Sequence, residues 1–146
     1  MKRTPRIVRA TRRRIVLAML FGVWAAALFM PAVVVQGRQP FSGFAILSRG
    51  WQGIDAGVYA WLANPLFLIA LGVCWFRSYE VAGILAGVGC VLALTSFAAG
   101  GIARDAGAAV PDLSLSAGFY LWLLAQLGLL ASSWLWAFRP AHTAKG

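Results

Sequence analysis

The chain has 146 residues, of which 61% are apolar and only 12% charged, with sixteen Gly, seven Trp and a formal net charge of +9. No ordinary water-soluble domain of this size has that balance, and the solvent it implies for most of the surface is lipid. Thirteen basic residues against four acids would raise nucleic acid as a partner elsewhere. Here no aromatic or groove-forming pattern accompanies the charge, so no nucleic-acid partner is expected.

Residues 1–14, MKRTPRIVRATRRR, read as a basic arm with no fixed fold beyond an interfacial helix that continues into the first span. Seven positive charges beside an apolar run act first as a topology signal. Attraction to anionic lipid, about 1 kcal/mol per residue near the surface, follows from the same charge. Arg12, Arg13 and Arg14 ahead of an apolar run also look like a twin-arginine export signal, with Ala25, Ala26 and Ala27 as a cleavage site. That run is 21 residues long, beyond the roughly 7–15 of a secretory core, so an uncleaved first span is expected.

Four segments, 15–35, 56–76, 81–99 and 117–138, contain no Asp, Glu, Lys, Arg or His. Each is long enough for a helix to cross the roughly 30 Å hydrocarbon core at about 1.5 Å per residue. The expected fold is therefore an all-α membrane protein: an antiparallel bundle of four transmembrane helices over 15–138, with a short cytoplasmic tail, 139–146. Ten of the thirteen basic residues fall on the side of the termini, while Arg38, Arg49 and Arg104 on the other side are matched by Asp55, Asp105 and Asp112. By the positive-inside rule both termini are cytoplasmic. Trp75, Trp134 and Trp136 fall at inner ends of spans and Trp51, Trp61 and Trp122 near outer ends, as interfacial anchors should; only Trp24 is mid-span, a candidate for the bundle interior.

In the first outer loop, Phe41, Phe44, Leu47, Trp51 and Ile54 recur at helical spacing after Ser42, a possible cap, which predicts a short interfacial helix with Arg49 towards water. Arg77 to Glu80 is a tight turn that makes spans two and three antiparallel neighbours. Gly100 and Gly101 close the third span, and Ser114 or Ser116 caps the fourth helix.

Helices in lipid associate through small residues and a few hydrogen bonds. Span three carries such a seam at Ala82, Ala86, Gly89, Ala93, Ser96 and Gly100, and a GxxxG at Gly83 and Gly87 on another face, open to other helices or to a second copy. Weaker seams run through Ala18, Gly22, Ala25, Phe29 and Ala32, and through Ala56, Ala60, Ala63, Phe67, Ala70 and Cys74. Cys74 and Cys90 differ in depth by roughly 10 Å, too far for a disulfide, and read as packing residues. No span holds an ionisable group and the single His, His142, is in the tail, so no catalytic site, metal or cofactor is expected.

Two embedded amides remain. Asn64 and Gln126 both lie roughly 12 to 14 Å below the outer boundary, where they can meet as an interhelical hydrogen bond, with Asn64 also capping the half-helix that starts at Pro65. Pro31 and Pro65 lie towards the outer ends of spans one and two. Kinks there would splay the helices and open an outward-facing pocket lined by Trp61, Asn64 and Gln126.

The stretch YAWLANPL, Tyr59 to Leu66, preceded by Gly50-Trp-Gln-Gly53, resembles a group of small bacterial inner-membrane proteins with four spans and an aromatic-x-Ala-Asn-Pro-Leu signature. The likeness covers residues 50–76, with an echo at Tyr120 to Leu123. It implies a bacterial cytoplasmic-membrane location and the four-span plan, and brings no activity with it. The first functional reading is a non-enzymatic accessory or assembly subunit, bound to other membrane subunits or to itself. The second is a small carrier or binding protein for an uncharged lipophilic molecule, a lipid or a quinone, in the outward-facing pocket.

Overall fold

Pro31 decides where the first helix stops. A computed structural model describes residues 5–35, 39–56, 59–98 and 113–138. In it α1 runs Pro5–Phe29, so the basic segment is helical from its first described residue, with Pro5 in the first turn where its missing N–H is harmless. Beyond Phe29 the chain does not kink and continue as expected from 15–35. A residue before proline is pushed out of the α region, and the Val33, Val34, Val35 run that follows is β-branched. Pro31–Val35 is accordingly a strand, β1.

That strand corrects the all-α expectation. β1 pairs antiparallel with β2, Phe41–Ser42, on one side and with β3, Leu113–Leu115, on the other. Val33 sits opposite Leu115, and Val35 opposite Leu113. The small sheet ties the exit of the first helix to the entry of the last.

Ser42 caps α2, Gly43–Arg49, by accepting from the Ala45 amide at 3.2 Å, as its position in sequence implied. A 3-10 stretch, Gly50–Ala56, follows. The expected single apolar face is divided: Phe44 and Trp51 point outward, while Leu47 packs towards the core. A second 3-10 turn, Tyr59–Leu62, leads into α3, Ala63–Trp75. Pro65 therefore lies in the first turn of α3 and kinks nothing; the break in YAWLANPL is a change of helix type between Leu62 and Ala63.

α3 ends in a Schellman closure, with Arg77 N–H to the Cys74 carbonyl and Ser78 N–H to the Val73 carbonyl. Arg77 takes the left-handed geometry, φ 70°, that glycine usually supplies. α4, Tyr79–Leu94, then runs back along α3 and passes into a 3-10 turn, Thr95–Ala98. α5 is Ala117–Ala137. Ser116 occupies its N-cap position without a side-chain cap bond, and Ser114 belongs to β3. Gly100, Gly101 and the loop to Asp112, together with Arg38, Arg139 and Lys145, lie outside the described residues.

The protein is mostly helical, and two segments are long and apolar enough to cross a membrane: Tyr79–Phe97 and Ala117–Ala137, with mean hydropathies of 1.8 and 1.3. Only 33% of each one's most apolar stretch is buried. The outward residues are large and apolar, among them Ile69, Ile84, Val91, Leu124 and Leu135, while the interior is mostly alanine, glycine and cysteine with the few polar residues and some larger side chains, Phe67 and Leu129 among them.

α4 lies between α3 and α5, and α1 packs on α5. Ala82, Gly83, Ala86, Gly89 and Ala93 are all buried. Gly83 faces the Trp134 ring and Gly87 faces Leu130, so the GxxxG side packs on α5 of the same chain. Ala60, Ala63, Phe67, Ala70 and Cys74 are buried as their seam implied. The seam expected for the first span holds only in part: Ala25 packs against the core and Ala32 is buried, but Gly22 has open space beside it and Phe29 is 84% exposed, because α1 turns Leu17, Trp24 and Ala27 inward.

The two ends of the molecule differ. At the basic end Arg13 lies over the rings of Tyr79 and Trp136, at 4.9 and 5.7 Å, and donates to the Tyr79 hydroxyl at 2.6 Å. Arg14 covers Trp75 at 5.2 Å. The sheet, α2 and the 3-10 turns gather at the other end.

Candidate ligand cavity and its asparagine floor

The local chemistry of Asn64-Pro65 starts from a missing donor. In an α ladder the amide of residue 65 would meet the carbonyl of residue 61, and Pro65 has no N–H. The Asn64 side chain fills that gap, donating from Nδ2 to the Trp61 carbonyl at 3.2 Å. Its Oδ1 accepts from two indoles, Trp24 Nε1 at 3.2 Å and Trp122 Nε1 at 2.9 Å. An indole nitrogen only donates, so the orientation of the amide is fixed by chemistry. One side chain thus repairs its own helix and joins α1, α3 and α5.

Gln126 is fully buried one step deeper. Its Nε2 donates to the Ala63 carbonyl at 3.1 Å, so the two amides engage the same turn of α3. The structure sets them on carbonyls two residues apart and gives each its own partners: no hydrogen bond joins Asn64 to Gln126. Gln126 Oε1 has no partner among the described residues. Elsewhere in the interior, Ser133 bonds the Leu129 carbonyl and touches Cys74 Sγ at 3.8 Å, and both cysteines are free.

Above Asn64 the sheet end encloses a cavity of about 410 Å³, open to the surface. Ala27 and Leu28 of α1, Val33 of β1, and Ile46 and Leu47 of α2 contribute to its walls; Trp61, Asn64 and Trp122 close it below. Of the residues expected to line a pocket, Trp61 and Asn64 do so, whereas Gln126, Pro31 and Pro65 do not. Proline kinks do not open this space. A roof of different secondary structure does, held off the bundle by defined contacts.

Those contacts are short. The Gly43 amide donates to the Met30 carbonyl at 3.0 Å, and a Cβ at Gly43 would fall 2.5 Å from the Ala27 carbonyl oxygen. At Gly118 a Cβ would fall 2.7 Å from the Pro31 carbonyl oxygen. Backbone meets backbone at both points, and only glycine permits it. Trp61 Nε1 donates to the Leu47 carbonyl at 2.7 Å and so fastens α2 to the entry of α3. Searches against family models, curated proteins and solved structures find no match for the chain.

Three features of the site went unpredicted. Trp24 was read as an interior candidate, and it is buried and stacked with Phe67 at 6.0 Å, but its role as a donor to Asn64 was missed. A mid-span indole needs an acceptor, and the sequence offers only two embedded amides. Trp122 was read as an interfacial anchor and is a second donor. The Val33 to Val35 run after Pro31 carried the strand.

Proposed function

We propose that the chain is a multi-pass protein of the bacterial cytoplasmic membrane, with all four long helices crossing the bilayer and both termini in the cytoplasm, and that it binds a lipophilic molecule in the sheet-end cavity. Lipid surroundings are supported by an apolar exterior around a small-residue interior, the reverse of a soluble core helix. α3 with its 3-10 turn extends about 28 Å, close to the hydrocarbon thickness, and the uncharged part of α1, residues 15–29, about 22 Å, with β1 carrying the chain on towards the outer side. The clustering of Arg12, Arg13, Arg14 and Arg77 at the end opposite the sheet supports the orientation. A reporter fused after Asp112 should be active outside, and one fused after Gly146 should not; the opposite pattern would reverse the topology.

The cavity carries the binding reading. Its size lies in the roughly 300–1,000 Å³ range of small-molecule sites, and its lining is overwhelmingly apolar. The reading is non-enzymatic, because the uncharged segments supply no acid or base at membrane depth. The accessory-subunit reading drew on the small-residue faces of α4, and those faces pack against α3 and α5 of this same chain. After mild-detergent purification, native mass spectrometry should find a retained small molecule on the monomer. A stoichiometric protein partner with no small molecule would favour the accessory subunit instead.

A further inference from the structure

We infer that the occupant of the cavity is a single-chain amphiphile with an anionic head, a carboxylate or a phosphate monoester, whose tail lies in the cavity and whose head meets Arg49. The inference rests on the binding reading above and names its ligand class. Among the described residues, Arg49 is the one charged residue lining the cavity; it is solvent-exposed and has no ionic partner among them. It is not on a free loop. It ends α2, two residues after the Leu47 carbonyl that Trp61 Nε1 holds at 2.7 Å.

The floor makes the orientation one-way. Both indole N–H groups of the floor are committed, Trp122 to Asn64 Oδ1 and Trp61 to the Leu47 carbonyl; Asn64 Oδ1 is saturated by Trp122 and by Trp24 behind it, and one Asn64 amide hydrogen is spent on the Trp61 carbonyl. A polar head pushed inward would lose its water and gain little, whereas at the mouth it gains an unneutralised guanidinium. Volume sets the scale of the tail: with a methylene about as large as a water, roughly 30 Å³, the 410 Å³ cavity matches one chain of about fourteen carbons, and the carbons next to the head of a longer chain lie at its open mouth.

The test uses the full chain in zwitterionic phosphatidylcholine nanodiscs and three diazirine-bearing probes, hexadecanoate, hexadecyl phosphate and hexadecanol, with crosslinks mapped by mass spectrometry. The anionic probes should label the peptides around Leu28, Leu47 and Trp61 at lower concentration than the alcohol does. Arg49→Gln should weaken both anionic probes roughly fivefold at low salt and less at high salt, leaving the alcohol unchanged, and Arg49→Lys should recover most of the loss. Preference for carboxylate over phosphate, or the reverse, identifies the head. Equal labelling by all three, or an Arg49→Gln variant that binds like the parent, overturns the head assignment and leaves the cavity standing. No labelling of those peptides by any probe overturns the binding reading itself.

Discussion

The basic end and the sheet end of this protein solve the same problem in opposite ways. At the basic end, Arg13 and Arg14 lie flat on Tyr79, Trp136 and Trp75, and α3 turns into α4 through a closed Schellman motif. At the sheet end the helices stop short, three strands and three 3-10 segments take over, and a cavity is left beneath them. The first end is built for rigidity. The second spends backbone contacts at Gly43 and Gly118 to hold a space open. Asn64 stands at the border, bonding all three helices beneath the cavity.

Mutations should separate the two ends. Gly118→Val has the largest expected effect: its side chain would collide with the backbone of Met30 and Pro31, part β1 from α5, and cost about 3 kcal/mol in denaturant unfolding. Asn64→Leu comes next. It removes three hydrogen bonds averaging about 0.6 kcal/mol each and leaves the buried Trp24 and half-buried Trp122 indoles without an acceptor, for a loss of about 2 kcal/mol. Its Trp fluorescence should change as well, since Trp24 and Trp122 lose their acceptor.

Arg13→Gln acts at the other end. Losing its ring contacts and the Tyr79 bond should lower stability by about 1 kcal/mol while leaving ligand retention intact. Ala45→Phe should do the reverse, filling the cavity and abolishing ligand retention in native mass spectrometry with little change in melting temperature. A variant that disturbs both properties equally would show that the two ends are one cooperative unit. Arg77→Gly has the smallest effect, within about 0.5 kcal/mol, because relief of the left-handed geometry is offset by the entropy of a new glycine.

Much of the bundle was legible because its determinants are local and periodic. The seam from Ala82 to Ala93 and the one from Ala60 to Cys74 follow from side-chain size at helical spacing, and both are buried. The Ser42 cap was read for the same kind of reason. Where the sequence misled, composition outweighed geometry. An uncharged run from Ile15 to Val35 looked like one helix because charge was the criterion, although Pro31 and three consecutive valines argued for a strand. An amide beside a proline in an apolar run marks Asn64 in the sequence. Its partners were not legible, because indoles at positions 24 and 122 meet it only after three helices have packed.

The β1–β3 ladder has a consequence for how the molecule is made. The Ser114 hydroxyl meets the Val34 carbonyl across 80 residues of chain, so β1, already flanked by β2, gains its second partner only after residues 113–115 have left the ribosome. Contacts of that sequence separation form late. The α3–α4 hairpin can assemble as soon as it is inserted, whereas the roof of the cavity waits for the last helix. A chain truncated before residue 113 would keep its hairpin and α2 yet lack the wall of the cavity that Leu115, Gly118, Phe119 and Trp122 supply.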